Sequence, residues 1–549
     1  LGSAVVLGTG SALAAHGVGD LDEHALWVAS TVFFLAAVGD WICTRGYTLV
    51  TGRTAERLLY ALRIRVFAHL QRLSLDYYDR ELAGRIMTRM TTDVEALQQL
   101  LQTGLVNAIV SLATCAGVFC FLVILSPPLA LAAATIVPPL VIATLWYRKR
   151  SGAIYNTARD RIAAVNANFQ ESLSGVRVAQ AYTRENRNIA GFRDVNGSYL
   201  DARLGAQKLI AIYFPFVLLL SDLGSAVVLG TGSALAAHGV VTPGVVIAFV
   251  LYLNMFFSPI QQLSQVLDTW QQATVSFARI DELMATPTGT PPPAHPQEPG
   301  RLHGAVRLSD VHFRYPHTMG DEALAGVDLD IAAGETVALV GETGAGKSTI
   351  VKLIARFYDP TGGQVTIDGF DLRDIDLGAF RRQLGVVPQE AFLFTGTIRD
   401  NIAYGRPDAG DAAVEAAARS VGAHAFVAHL PQGYLTPVSE RGRSLSAGQR
   451  QLIALARAEL VDPAILLLDE ATSNLDLATE AAVQQAMGIV ATGRTTILVA
   501  HRLPTAQTAD RIVVIDQGRI AAVGTHDELL AASDHYAQLW RAFAVDTAA

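Results

Sequence analysis

Lysine is almost missing: Lys149, Lys208, Lys347 and Lys352 are the only four in 549 residues, against 38 arginines. Charge of both signs is thin, at 17% of residues with a net charge of −8, and no basic block stands out. Holding a nucleic-acid backbone requires such a block, so nucleic acid is not expected as a partner. Cysteine is scarce too. Cys43, Cys115 and Cys120 each fall in an apolar run, which excludes a disulfide framework and points to small buried hydrophobes. No targeting sequence is visible. Rich in Ala, Gly and Arg and poor in Lys, the composition points to a GC-rich bacterial genome.

Apolar residues are what the chain has in abundance. They make up 51% of it, and mean hydropathy is +0.32, values that suit a protein with part of its mass in lipid. Up to about Arg279, long apolar runs alternate with arginine-rich stretches. The runs lie at 25–44, 105–125, 129–147, roughly 210–238 and roughly 241–260, each near the ~20 residues that cross a bilayer. Arginines crowd 53–89, and "RKR" opens another basic stretch at 148–208, so both loops read as cytoplasmic. The short uncharged connections "SPP" (126–128) and "HGVVTPG" (238–244) read as external. Both internal loops read as helical, so the spans should continue well into the cytoplasm.

One stretch occurs twice. "LGSAVVLGTGSALAAHGV" fills residues 1–18 and again 223–240, where it forms the outer half of the last-but-one span. Old duplications drift, and internal repeats recur at a period. The expectation is therefore that a native first span is missing or replaced by this sequence, joined at the shared "HGV". True duplication stays open as the alternative.

A proline-rich linker, "TPTGTPPPAHPQEPG" (286–300), cannot be helix or sheet interior. Beyond it, short β-rich runs such as "TVALVG", "AILLLDE" and "TTILVAH" alternate with helical segments, the pattern of an α/β domain with a mainly parallel sheet. Three parts are expected: a helical transmembrane domain over 1–284, a linker over 285–304, and an α/β P-loop domain over 305–549.

The chemistry lies in the last part. "GETGAGKST" follows a strand and precedes a helix, fitting the G-x-x-x-x-G-K-[ST] loop whose backbone N–H groups wrap a triphosphate. Its residues are Gly341, Glu342, Thr343, Gly344, Ala345, Gly346, Lys347, Ser348 and Thr349. Lys347 is placed to neutralise the β- and γ-phosphates, and Ser348 to hold Mg²⁺. "ILLLDE" is a buried strand ending in Asp469, placed for Mg²⁺, and Glu470, placed to polarise the attacking water.

Directly ahead of that strand stands "LSAGQRQ", and with phosphate motifs on either side it resembles the signature of ATP-binding cassette (ABC) transporters, usually "LSGGQ". The resemblance spans nearly the whole chain and is to one half of an exporter, specifically the C-terminal half of single-chain bacterial exporters. It implies an adenine-stacking role for Tyr315 in "FRYP", and a Q-loop role for Gln389, also toward the metal. "SERG" (439–442) is similar to the exporter X-loop, and "SNLD", ending in Asp476, to the D-loop. His501 is similar to the switch histidine. Leu445, Ser446, Ala447, Gly448 and Gln449 would contact the ATP of a second half, across a head-to-tail dimer holding two ATPs. Ala447 departs from the usual glycine there. "LSLDYYDRELAGRIMTRM" and "ESLSGVRVAQAYTRENRN" are similar to the family's intracellular loops, with coupling helices implied near Tyr77, Tyr78 and Leu82 and near Val176, Tyr182 and Glu185.

Within the apolar runs, Asp40 and Asp222 are candidates to line a cargo cavity, with pairing to Arg45 as the alternative for Asp40. The aromatics Tyr213, Phe214, Tyr252, Phe256, Phe257 and Trp270 could meet lipophilic cargo, although packing is the better default. The combined expectation is ATP-driven export of a lipophilic, amphipathic or lipid substrate across the bacterial plasma (inner) membrane. ATP and Mg²⁺ are the cofactors, the ATPase domain is cytoplasmic, and the partner is a second, non-identical half with a weakened catalytic site. The rival is an ATP-gated channel or regulator of the same fold; an importer and a soluble ABC ATPase are disfavoured by the fused spans.

Overall fold

Long runs without turn signals become long helices, because in lipid a backbone must satisfy its hydrogen bonds within the segment. The structure, a computed structural model, describes residues 23–316, 320, 322–469, 477–500 and 503–546. It has two units, Leu1–Ala68 with Met87–Met284, and His69–Ile86 with Ala285–Ala549. The first residues in chain order form α1 (Glu23–Leu70), α2 (Leu75–Arg80), α3 (Ala83–Met90), α4 (Thr92–Gln99) and α5 (Leu105–Leu125). Then come α6 (Pro127–Ala134), α7 (Val137–Ser174), α8 (Val176–Ala181), α9 (Glu185–Ala237) and α10 (Pro243–Ala285).

Among the described residues three helical stretches are long and apolar enough to cross a membrane: Ala83–Leu125, Pro127–Ser174 and Glu185–Ala237. They contain three of the five expected runs; those at 25–44 and 241–260 lie in α1 and α10. The second copy of the repeated segment lies almost wholly in α9, while the first falls outside the described residues. Along α9 a buried stripe runs Leu209, Tyr213, Val217, Leu220, Gly224, Val228 and Gly232, the three-to-four spacing of one helix face. Two glycines let neighbours approach closely. A Cβ on Gly232 would stand 2.8 Å from Val246, and one on Gly224 would collide with Ile136. Burial of the cysteines is corrected by the structure: Cys43 and Cys120 are exposed and Cys115 half-buried. In a lipid-facing bundle an apolar residue gains nothing by turning inward, so apolar and buried part company.

In the second unit residues 286–305 carry no helix or ladder beyond a single bridge from Gln297 to Ile375. The strands are β1 (Val306–Phe313), β2 (Leu324–Ile331), β3 (Thr336–Val340), β4 (Gly362–Ile367), β5 (Phe370–Asp371) and β6 (Leu384–Val387). They continue with β7 (Gly396–Thr397), β8 (Pro437–Val438), β9 (Ile465–Asp469), β10 (Thr495–Val499), β11 (Arg511–Asp516) and β12 (Arg519–Gly524). The main sheet runs β12-β11-β3-β10-β9-β6, parallel except for edge strand β12. A second sheet, β2-β1-β4-β5, is antiparallel, and β7 pairs with β8. Continuous apolar runs in β3, β9 and β10 are buried, as strands covered on both faces must be. Helices α11 (Lys347–Ile354), α12 (Ala447–Val461) and α13 (Leu477–Ala491) pack around them.

Register aligns the strand ends. Leu339 of β3 pairs with Val499 of β10, Val499 with Asp469 of β9, and Leu468 with Val387 of β6. The loops that leave the carboxyl ends of these four strands therefore start along one edge, where α/β sheets bind ligands.

Candidate active site

The phosphate loop is delivered by β3, whose Val337, Ala338 and Leu339 are fully buried. It turns through Gly346 at φ +110°, where a Cβ would stand 2.8 Å from the Ala323 carbonyl oxygen, so only glycine fits. Helix α11 then starts, with Thr349 and Ile350 donating to the Gly346 carbonyl. Ala345 is buried, while Glu342, Thr343, Gly344 and Ser348 are exposed on the loop's outer side. Lys347 is 5% exposed, and its ammonium donates to the carbonyls of Gly341 and Glu342 at 2.7 Å each. Burial pushes its pKa down, opposed by the carboxylates of Asp469 and Glu342.

A support that sequence reasoning missed comes from the turn between β11 and β12. Gly518 N–H donates to the Ala345 carbonyl at 3.0 Å, and the Gly518 carbonyl accepts from Ala325 N–H at 2.9 Å. A "QG" turn is its only signal, and nothing local connects that turn to a loop far upstream in the chain.

Tyr315 sits half-buried, its ring edge-on to Phe313 at 4.8 Å and its hydroxyl 3.2 Å from the Thr349 hydroxyl. Gln389 is exposed just beyond β6. Ser348, Gln389 and Asp469 offer hydroxyl, amide and carboxylate oxygens, the donor set Mg²⁺ prefers. Among the described residues no cluster of three or more His, Cys, Asp or Glu is placed to hold a metal ion. Glu470, Asp476 and His501 lie outside the described residues.

The signature forms a helix start. Ser446 is the N-cap of α12, its hydroxyl accepting from Gln449 N–H at 3.2 Å while Gln449 Oε1 accepts from Ser446 N–H at 2.9 Å. This reciprocal box uses the serine oxygen as an acceptor, so its O–H proton and the N–H groups of Ala447 and Gly448 remain available as donors at the helix start. Leu445 and Gly448 are buried beneath, and Ala447 is exposed. Among the described residues no hydrogen bond or ion pair joins these five residues to the phosphate loop.

In the segments expected to carry coupling helices, Tyr77 on α2 is buried within the second unit and Tyr78 donates to the Leu70 carbonyl at 2.6 Å. On α8, Val176 is exposed, as is Tyr182 just after it (73%). Asp40 and Asp222 are exposed on α1 and α9, and Arg45 lies over the Trp41 ring at 5.6 Å rather than pairing with Asp40. Of the six aromatics, Tyr213 stacks on Tyr147 at 4.2 Å and Tyr252 tilts onto Phe121 at 4.4 Å, both buried. Phe257 is buried too, whereas Trp270 is exposed.

Two family descriptions match this chain: "ABC transporter transmembrane region" over residues 4–260 and "ABC transporter" over residues 324–473. An uncharacterized ABC transporter ATP-binding protein of Bacillus subtilis, YknV, is 40% identical over 89% of the chain and 80% of its own length. The chain belongs to the ABC transporters. It joins the helical membrane region and the ABC ATPase domain in one polypeptide. A multidrug efflux ATP-binding/permease protein of Mycobacterium bovis is 46% identical over 94% of this chain, which spans only 43% of that relative. A solved bacterial Atm1-family ABC exporter with ATP bound shares the fold at TM-score 0.81 and 31% identity, over 98% of this chain and 96% of its own.

Proposed function

We propose that this ABC transporter is one half of an exporter that uses ATP to move lipophilic or amphipathic compounds, drug-like or lipid, across a bacterial plasma membrane. The observation that carries the reading is a complete phosphate loop and a capped signature helix on the same chain as membrane-length apolar helices. The multidrug efflux title of the mycobacterial relative supports the cargo class. The domain boundaries are residues 1–284, 285–304 and 305–549, with the last on the cytoplasmic side, as the basic loops require.

In this reading Tyr315 stacks the adenine, and the loop N–H groups with Lys347 hold the phosphates. Ser348 and Asp469, with Gln389, would hold Mg²⁺, which would supply charge neutralisation on the transferred group. Glu470 takes a proton from the attacking water, His501 and Gln389 belong to the same catalytic site, and Asp476 serves as the D-loop aspartate. Ser446 and the start of α12 serve the second half's ATP. That second half is a different sequence, on another chain or fused; the mycobacterial relative, more than twice as long as the matched region, supports fusion.

Uptake of a fluorescent lipophilic cation into inside-out vesicles tests this. ATP-dependent accumulation lost in Glu470→Gln supports export. ATP turnover without accumulation of any cargo from a lipophilic panel would favour a gated channel or regulator and overturn it.

A further inference from the structure

Around Tyr315 the second unit holds side chains that the ATP reading above does not use. The phenol of Tyr358, 6% exposed, donates to Asp79 Oδ2 of α2 at 2.8 Å. Lys352 of α11 places its ammonium 3.7 Å from that same carboxylate oxygen. The same ammonium lies 5.4 Å from the centre of the Tyr315 ring and 5.8 Å from that of Tyr358, within cation–π reach of both. Tyr358 stands edge-on to Tyr315 at 5.5 Å, and to Phe313 at 5.5 Å. Burial, and then the bond to Asp79, push the Tyr358 phenol well above its ordinary pKa, so it remains a donor.

We infer that Tyr358 and Lys352 are positioning residues that tie the Tyr315 ring to Asp79 of α2, so that seating a nucleotide base and seating this helix are one equilibrium. The physical ground is that groups bonded to Asp79 also brace the Tyr315 ring. Its hydroxyl contacts Thr349, and its ring, packed against the domain core, meets the Phe313 edge, the Tyr358 edge and the Lys352 charge. Tyr358 and Lys352 are the groups among these that reach Asp79. If α2 shifts, Lys352 loses the carboxylate that restrains it and Tyr358 loses its acceptor. The surface offered to a base then changes, while the bond from Gly518 to Ala345 that supports the phosphate loop does not. Linkage makes the effect reciprocal: a base that stacks on Tyr315 must hold α2 by the factor with which α2 holds the base.

The inference rests on the proposed role of Tyr315 toward the adenine, and the test separates the two. Equilibrium dialysis on the intact transporter measures radiolabelled ATP, and displacement measures inorganic tripolyphosphate, which has no base. Asp79→Ala removes the carboxylate that accepts from Tyr358 and faces Lys352, and Tyr358→Phe keeps the buried ring. Each is expected to weaken ATP roughly threefold to tenfold and to leave tripolyphosphate unchanged. The double variant should be no worse than the more affected single one, since both break the same link. Asp79→Glu should recover part of the loss. Equal weakening of ATP and tripolyphosphate, additive losses, or wild-type ATP affinity in both variants would each overturn the inference. A Tyr315→Ala variant that keeps full ATP affinity would instead remove the adenine reading on which it is built.

Discussion

At the scale of the residue, the phosphate loop separates two costs that a glycine can avoid. At Gly346 a methyl group meets the Ala323 carbonyl and the backbone is left-handed; at Gly344 φ is +89° but nothing stands within 4 Å. Gly346→Ala should therefore weaken ATP binding through both collision and strain, by about 2–3 kcal/mol, and Gly344→Ala through strain alone, by about 1 kcal/mol. Titration with ATP checks the order; equal effects would contradict the geometry. Chemistry and binding should separate as well. Glu470→Gln keeps the shape and removes the base, so hydrolysis should fall on the order of 10²–10⁴-fold with ATP still bound. Lys347→Ala removes the charge that faces the loop and should lose binding itself, measured by the same titration.

At the scale of the element, α12 shows how a cap and a binding surface share atoms. Ser446→Ala breaks the reciprocal box with Gln449 and should cost about 1 kcal/mol in unfolding of the ATPase domain, followed by urea denaturation. Ala447→Gly should behave differently. Ala447 is exposed at the first helical position, so little packing is lost and stability should change by less than ~1 kcal/mol. If that methyl crowds the phosphate of the second half's ATP, Ala447→Gly should raise turnover at that site alone, read with this chain's own site silenced by Glu470→Gln. The cap was legible in "LSAGQ", because serine at N-cap and glutamine three residues on is a local signal. The support of the phosphate loop by Gly518 was not, because β11 reaches β3 only through the sheet.

For the whole molecule, the two short helices α2 and α8 differ in surroundings. Tyr77 of α2 is buried in the ATPase-containing unit, whereas Val178 of α8 and the adjoining Tyr182 are exposed apolar side chains. Tyr182→Ala should thus leave this chain's thermal unfolding unchanged while lowering drug-stimulated ATP turnover several-fold, if a second half covers it. Purification from the native host followed by mass spectrometry should find a second, different ABC half, on its own chain or in the same polypeptide. A complex made only of copies of this half would refute the asymmetric assembly.

Much of this protein is written locally. Apolar length specified the helices of the first unit, β-branched runs the parallel strands, and nine consecutive residues the phosphate loop, because each depends on neighbours within a few positions. Register, faces and partners are different. Cys43 and Cys120 lie in apolar runs of the sequence and are exposed in the fold, since among lipid-length helices apolar character does not specify which face turns inward. Nothing local marks Gly224 and Gly232 as the places where Ile136 and Val246 approach. Nor does the stretch around Asp79 announce that the fold bonds it to Tyr358 beside Tyr315. What the sequence determined alone was the set of pieces; which side chains meet was decided by the tertiary structure, because those contacts join residues of different elements and leave no periodic trace.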